Sequence, residues 1–231
     1  LCVALSVVTL AALSSFAEST NRSILNDARS LHASDIIIRS NYPFETSFLD
    51  AVEQTKRKHD SQSARVYSFY SVVRSTEKKN SLLVGIKAPE NGYPFYGQVK
   101  LASGRNFSDV LAPGAAIVER NALERLGLEV GDEMLVGKTG LTIRDVVLSE
   151  PDRPVNIFSL GPRVFVSFED LDTLDLITKA SRVNYKILVK AGAPEKLSDV
   201  FEALKEAAGD YVRIDTFKTA RSSVKRFFNN F

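Results

Sequence analysis

Few residues in this chain carry chemistry at a spacing that chemistry could use. Gly137-Lys138-Thr139 suggests a phosphate-binding loop. Such a loop needs a further glycine five positions before Gly137, but that position holds Asp132, and Gly131 is one place off. The segment also runs between two expected strands, with no helix after it to turn N–H groups toward a phosphate. A hairpin turn fits it better. Ser-x-x-Lys occurs at Ser75 to Lys78 and at Ser222 to Lys225, in both cases without the companion motifs of a serine acyltransferase. His32 and His59 each end an expected helix and have no second ligand at metal spacing. The single cysteine, Cys2, lies in an apolar run, so an internal disulfide and a cysteine-based metal site are excluded. No catalytic, cofactor-binding or metal-binding residue is therefore expected.

Two segments stand apart from that set. Tyr93-Pro94-Phe95-Tyr96-Gly97 gathers three aromatics around a proline in an expected loop. It reads either as an Ω-loop packed on the core or as a contact for an apolar substrate or partner, made by Tyr93, Phe95 and Tyr96. The bounding Gly92 and Gly97 suggest a shaped loop with its rings left exposed, in which case Tyr93→Ser and Tyr96→Ser should cost little stability. Glu150-Pro151-Asp152-Arg153-Pro154 is a charged turn with two fixed φ angles, read as structural. Asn21-Arg22-Ser23 and Asn106-Phe107-Ser108 match a glycosylation pattern that arises often by chance.

The elements that must position these segments follow from periodicity. Asp35 to Arg39 reads as a short buried strand, Phe44 to His59 as a helix with Phe48, Leu49 and Val52 on one face, and Ala64 to Ser75 and Leu82 to Lys87 as strands. The middle is richer in glycine and proline, with short strands at Ala115 to Val118, Glu133 to Val136, Leu141 to Val147 and Arg163 to Val166. Helices are expected at Asn121 to Leu126 and Phe168 to Leu174, the latter capped by Ser167. Gly127 and Gly131 fit a helix stop and a tight turn. Val183, Tyr185, Ile187 and Val189 alternate as a strand, Pro194 opens a helix bearing Leu197, Val200, Phe201 and Leu204, and Tyr211 to Ile214 is a last strand.

Strand–helix–strand thus occurs twice around an insertion. The expected fold is α+β, a split βαβ sheet with an inserted small α/β (mostly β) subdomain. Its segments are a membrane-helix stub at 1–17, a stalk helix and first βαβ half at 18–90, the insertion at 91–177, the second half at 178–216 and an exit stalk at 217–231.

The ends favour a membrane setting. Leu1 to Ala17 carries no charge, and Ile24, Leu25, Ala28 and Leu31 extend a helical stripe beyond it. A membrane helix cut near its start is the favoured reading, with a signal peptide ending near Ser15-Phe16-Ala17 and a buried core helix as alternatives. Phe217, Ala220, Val224, Phe227, Phe228 and Phe231 form a second apolar stripe, interleaved with Arg221, Lys225 and Arg226. These two ends should leave the domain on one face, with Ala17 and Phe227 close together. A net charge of only +2 implies no broad basic surface for nucleic acid, and 44% hydrophobic residues argue against disorder.

Several stretches, in order, resemble the extracytoplasmic domain of FtsX/MacB-type ABC transporter permeases, closest to the lysophospholipase-associated branch. They are Asn26-Asp27-Ala28-Arg29 with Asp35-Ile36, then Tyr93 to Gly97, then Pro113-Gly114 with Leu126-Gly127-Leu128 and Val130-Gly131-Asp132. Glu150 to Arg153, Gly161 to Val164, and Ser181-Arg182-Val183 with Tyr185 complete the set. Ala180-Ser181 departs from it, since a glycine before the serine would be typical. The resemblance implies a non-enzymatic domain between the first two membrane helices of a bacterial inner-membrane permease, made of a porter-like βαβ part and an inserted small α/β part. It also implies a cytoplasmic ATPase partner, a lipid-like or amphipathic substrate, and an accessory protein of lipase or esterase type. A secreted or tethered ligand-binding domain, or a sensor domain, is the alternative.

Overall fold

The computed structural model describes residues 29–76, 80–153, 160–178 and 181–217. The expected membrane stub, most of the first stalk and all but the start of the exit stalk lie outside the described residues, as do Ala17 and Phe227. Among the described residues, no helix is long and apolar enough to cross a membrane.

The expected double strand–helix–strand is present. Strand β1 (Ile36–Ser40) leads through helix α1 (Thr46–His59) to β2 (Gln62–Ser75) and β3 (Ser81–Pro89). At the other end β9 (Asn184–Lys190) leads through α5 (Leu197–Ala207) to β10 (Arg213–Thr216). The order β10-β1-β9-β2 interleaves the halves, and every neighbouring pair in it is antiparallel. Helices α1 and α5 pack together over one face. They bury Phe48, Val52, Val200 and Leu204 against Ile36, Ile38, Tyr185 and Ile187. Lys56, Arg57, Lys58 and His59 crowd the last turn of α1, where cations suit the negative end of the helix dipole.

The insertion continues the same sheet. It comprises β4 (Lys100–Leu101), α2 (Phe107–Val110), β5 (Ala115–Glu119), α3 (Arg120–Leu126), β6 (Glu133–Val136), β7 (Thr139–Ser149), β8 (Arg163–Val166) and α4 (Leu171–Leu174). From β3 the order runs β8-β5-β7, and β6 pairs with both β7 and the far end of β2. Six strands therefore close into a ring, β2-β3-β8-β5-β7-β6, filled by Val73, Val84, Ile86, Val118, Met134, Ile143 and Val164. The fourteen-residue β2 belongs to both halves. Its early residues Ala64 and Val66 are buried on one face, and its late residues Phe69 and Val73 on the other. Gly137 and Lys138 form the two-residue turn between β6 and β7, with Gly137 at φ +64° and Lys138 exposed, as the hairpin reading expected.

The opposite face of the sheet has a smaller core. Ile37, Val66, Ile117, Phe165 and Leu188 project from the strands there. The chain between β3 and β5 folds over them, supplying Tyr93, Val99, Leu101, Phe107 and Val110. The aromatic loop is part of this roof.

Candidate functional site

The roof covers only part of the outer face. Beside it, alternation along the strands turns Arg39, Lys87, Arg163 and Lys186 away from the apolar core that holds Ile38, Ile86, Val164 and Ile187. Two acids of the charged turn meet these cations. Lys87 Nζ donates to Glu150 Oε2 at 2.8 Å and to Asp152 Oδ1 at 2.6 Å. Arg163 Nε donates to Glu150 Oε1 at 2.9 Å, and Lys186 Nζ stands 4.0 Å from Asp152 Oδ2. Glu119, at the end of β5, binds Arg153 and accepts from the Arg163 N–H at 2.8 Å.

Tyr93 joins roof to network. Its hydroxyl accepts from Lys87 Nζ at 2.7 Å and donates to Asp152 Oδ1 at 2.6 Å, while its ring packs on Phe107 and Phe165. The ring is 5% exposed, which corrects the expectation of exposed aromatics. Proline and glycine marked a shaped loop, but nothing local marked the buried Lys87 to which the phenol is bound. Phe95 and Tyr96 are half-buried. Phe95 packs against the small core, and its N–H donates to the Ala33 carbonyl at 2.9 Å. Gly97, at φ +78°, lies so close to the charged turn that a Cβ there would come within 2.7 Å of Pro151 Cβ.

A second node ties the loop to the ends of the described chain. Buried Asp35 accepts from the Tyr96 hydroxyl at 2.9 Å and from the Ala191 N–H at 3.1 Å. Arg29 Nε lies 3.0 Å from the other carboxylate oxygen, an ion pair whose angle falls short of a hydrogen bond. The Arg29 guanidinium stacks over the rings of Phe217 and Tyr96, 4.7 and 5.4 Å from their centroids. The Phe217 N–H donates to the Asp35 carbonyl at 3.1 Å.

Burial and charge set the protonation here. Desolvation pushes the Asp152 carboxyl upward, but Lys87 and Lys186 outweigh it and hold the group at about 2. Desolvation lowers Lys186 to about 8; Asp152 opposes this, while Lys87, Arg39 and Arg163 add to it. Burial raises Tyr93 well above the usual phenol range, so it stays a donor. Desolvation, helped by the hydrogen bond to Asp35, takes Tyr96 up to about 12. Paired carboxylates and cations of this kind suit rigid positioning. Among the described residues no group of three or more His, Cys, Asp or Glu could hold a metal ion.

Segments far apart in sequence thus converge: Arg29 and Asp35, the aromatic loop, Glu150 to Arg153, and Arg163. They are the same blocks that carried the resemblance to permeases. A family model, the MacB-like periplasmic core domain, matches residues 1–207. The chain belongs to that family.

A relative described as an uncharacterized ABC transporter permease, YbbP of Escherichia coli (strain K12), is 24% identical over 204 residues, 87% of this chain. The chain spans about a quarter of that relative's length, 24%. The fold also resembles the periplasmic region of MacB from Actinobacillus actinomycetemcomitans. There the TM-score is 0.56 at 10% identity, over 84% of this chain and 95% of that one. It resembles the extracellular domain of the noncanonic ABC-type transporter YknZ from Gram-positive bacteria as well. In that case the TM-score is 0.51 at 12% identity, over 78% of this chain and all of that one. These likenesses support the α+β class with its mixed sheet.

Lys87 and Lys186 were missed as site residues because they read as polar positions on the solvent face of half-buried strands. The available signal was Glu150-Pro151-Asp152, two acids held by a proline with no helix or strand to explain them.

Proposed function

We propose that this chain is the extracytoplasmic domain of an ABC transporter permease of the bacterial inner membrane. In this reading it lies between two membrane helices and passes movement driven by a cytoplasmic ATPase to a lipid-like or amphipathic substrate. The domain itself is not an enzyme. The observation that carries the reading is the junction at Asp35. Strands β1 and β10 are antiparallel neighbours, with Ile36 opposite Thr216, so the chain enters and leaves at the same end of that pair. Arg29 and Phe217 touch there, and Asp35 binds both as well as the aromatic loop. A push on either flank reaches the loop through short polar contacts rather than through a compliant linker. Phe95 and Tyr96, half-buried at the loop's surface, are the proposed contact with substrate or with an accessory protein of lipase or esterase type; Tyr93 supports them from below.

The test uses the full-length permease with its ATPase in proteoliposomes. Asp35→Asn should leave ATP hydrolysis running while extraction of a fluorescent amphiphile drops several-fold. Failure of any ATPase subunit to associate with the permease would refute the reading.

A further inference from the structure

The outer face carries more cations than the acids around them can balance. Arg39 on β1 stands directly opposite Lys186 on β9 and Arg213 on β10, so three cations line up across neighbouring strands. Like charges directly opposite one another destabilise a sheet. Asp215 binds Arg39 and Arg213, each at 3.1 Å. Among the described residues Lys186 is paired with Asp152 Oδ2 alone, at 4.0 Å, while the other oxygen of that carboxylate accepts from both Lys87 and Tyr93. The side chain of Lys186 is 20% exposed and lines a groove beside it.

It opens into a groove of about 970 Å³. Among the described residues lining it, Lys87, Arg163, Arg182 and Lys186 are cationic and Asp152 is the one acid, while Glu150, outside the lining, pairs with Lys87 and Arg163. Its rim is apolar: Tyr42, Tyr70 and Leu160 are each more than half exposed. The apolar surface continues past the groove, because Val72 and Leu83 face each other across β2 and β3 and are both exposed. A cationic floor beside an apolar shelf complements a molecule with an anionic end and a hydrocarbon end.

We propose that this groove binds a single-chain anionic amphiphile, its acidic head on Lys186 and Arg163 and its chain along Tyr70, Val72, Leu83 and Leu160. An anion there relieves the repulsion along the Arg213–Arg39–Lys186 row, and the chain covers side chains otherwise left in water. The proposal deepens the permease reading by naming a substrate class, but it is tested by binding alone, without transport or ATPase.

The full chain is placed in neutral-lipid nanodiscs, and carboxyl-labelled decanoate is titrated in below its micelle concentration, with empty nanodiscs as the blank. Saturable binding of one decanoate per chain is expected. Lys186→Met should weaken it about tenfold or more, the effect of losing one charge-assisted contact, while Lys186→Arg retains it. Tyr70→Ser, at an exposed position, should weaken it as well with the melting curve unchanged. Inorganic phosphate, an anion without a chain, should bind far more weakly. Equal binding by Lys186→Met, phosphate binding as tight as decanoate, or no saturable decanoate binding would each overturn the proposal. So would a dimer in sedimentation that decanoate does not disperse, because the groove would then receive a second copy. None of these results bears on ATP-driven extraction, which judges the permease reading separately.

Discussion

Replacing Lys87 by Met removes the cation at the centre of the network while keeping much of its volume. The side chains of Lys87, Glu150 and Asp152 are 3%, 1% and 6% exposed, so water cannot take the place of the lost charge. Each contact, at 2.8 and 2.6 Å, is worth about 6 kcal/mol of Coulomb energy at an effective dielectric constant of about 20. Much of that is offset in the native protein by the cost of desolvating the ammonium. Two acids are then left, one held by Arg163 at 2.9 Å and the other near Lys186 at 4.0 Å. Breaking a buried pair from one side costs about 3–5 kcal/mol, and that is the loss expected at neutral pH. It is a large part of the roughly 5–15 kcal/mol that holds a typical domain folded. The chain has no tryptophan, so denaturant unfolding of the full chain is followed by far-UV circular dichroism. Asp152, released from Lys87, should take up a proton more readily in the variant, and the deficit should therefore shrink as pH falls from 7 toward 4. Lys87→Met combined with Asp152→Asn should lose less than the sum of the single changes, by about 0.5–3 kcal/mol. A loss below about 1 kcal/mol, or one that does not change with pH, would show that the three groups do not act as a buried unit.

Three further outcomes are expected. Asp152, held at about 2 against an ordinary 3.8, stabilises the fold above pH 3.8, and that contribution of about 2 kcal/mol is lost as pH falls through 2; acid titration with Asp152→Asn as the reference should show the difference. Lys186 acts in the opposite sense to an ordinary ion pair: because burial lowers it to about 8 from 10.5, stability should rise with pH across that interval, and Lys186→Met should flatten the rise. Gly97→Ala should cost about 1–3 kcal/mol, since the new Cβ meets Pro151 at a backbone angle that disfavours side chains; a melting temperature within a degree of the parent would refute that contact.

The parts of the fold legible in the sequence are those whose signal is local. Val183, Tyr185, Ile187 and Val189 alternate because one face of β9 packs on helices, and Pro194 and Gly127 mark helix boundaries through φ alone. Strand β4, of two residues, and helix α2, of four, are too short to show a period. Closure of the ring was hidden for another reason. It depends on Val73 pairing with Val136, a contact between residues far apart in sequence that leaves no trace in either strand. The parity change in β2 is partly visible in the sequence, since alternation puts Val66 on one face and Phe69 and Val73 on the other, but apolar residues on both faces do not say where cover ends. Tyr70 and Val72 share the face of Val66 yet lie outside the roof, and they are exposed.

The site was legible as blocks and not as a network. Asp35, Tyr96, Asp152 and Arg163 were each picked out by resemblance, yet chemistry at such a site belongs to pairs. Antiparallel pairing of β1 with β10 brings Asp35 to the point where the chain enters and leaves. The roof then has to cross from β3 to β5 over that point, and Tyr96 and Tyr93 fasten it at Asp35 and at Lys87. The two anchors differ in kind. Asp35 faces the flanks through Arg29 and Phe217, whereas Lys87 faces the cationic groove through Asp152 and Lys186. The four residues from Tyr93 to Tyr96 therefore bridge the end of the domain where both flanks meet and the groove proposed to hold the amphiphile. A shift at Asp35 that moves Tyr96 must also move Tyr93, which shares a proton and a cation with Asp152. If the flanks move and the groove is filled as proposed, the two events would be coupled through this short loop.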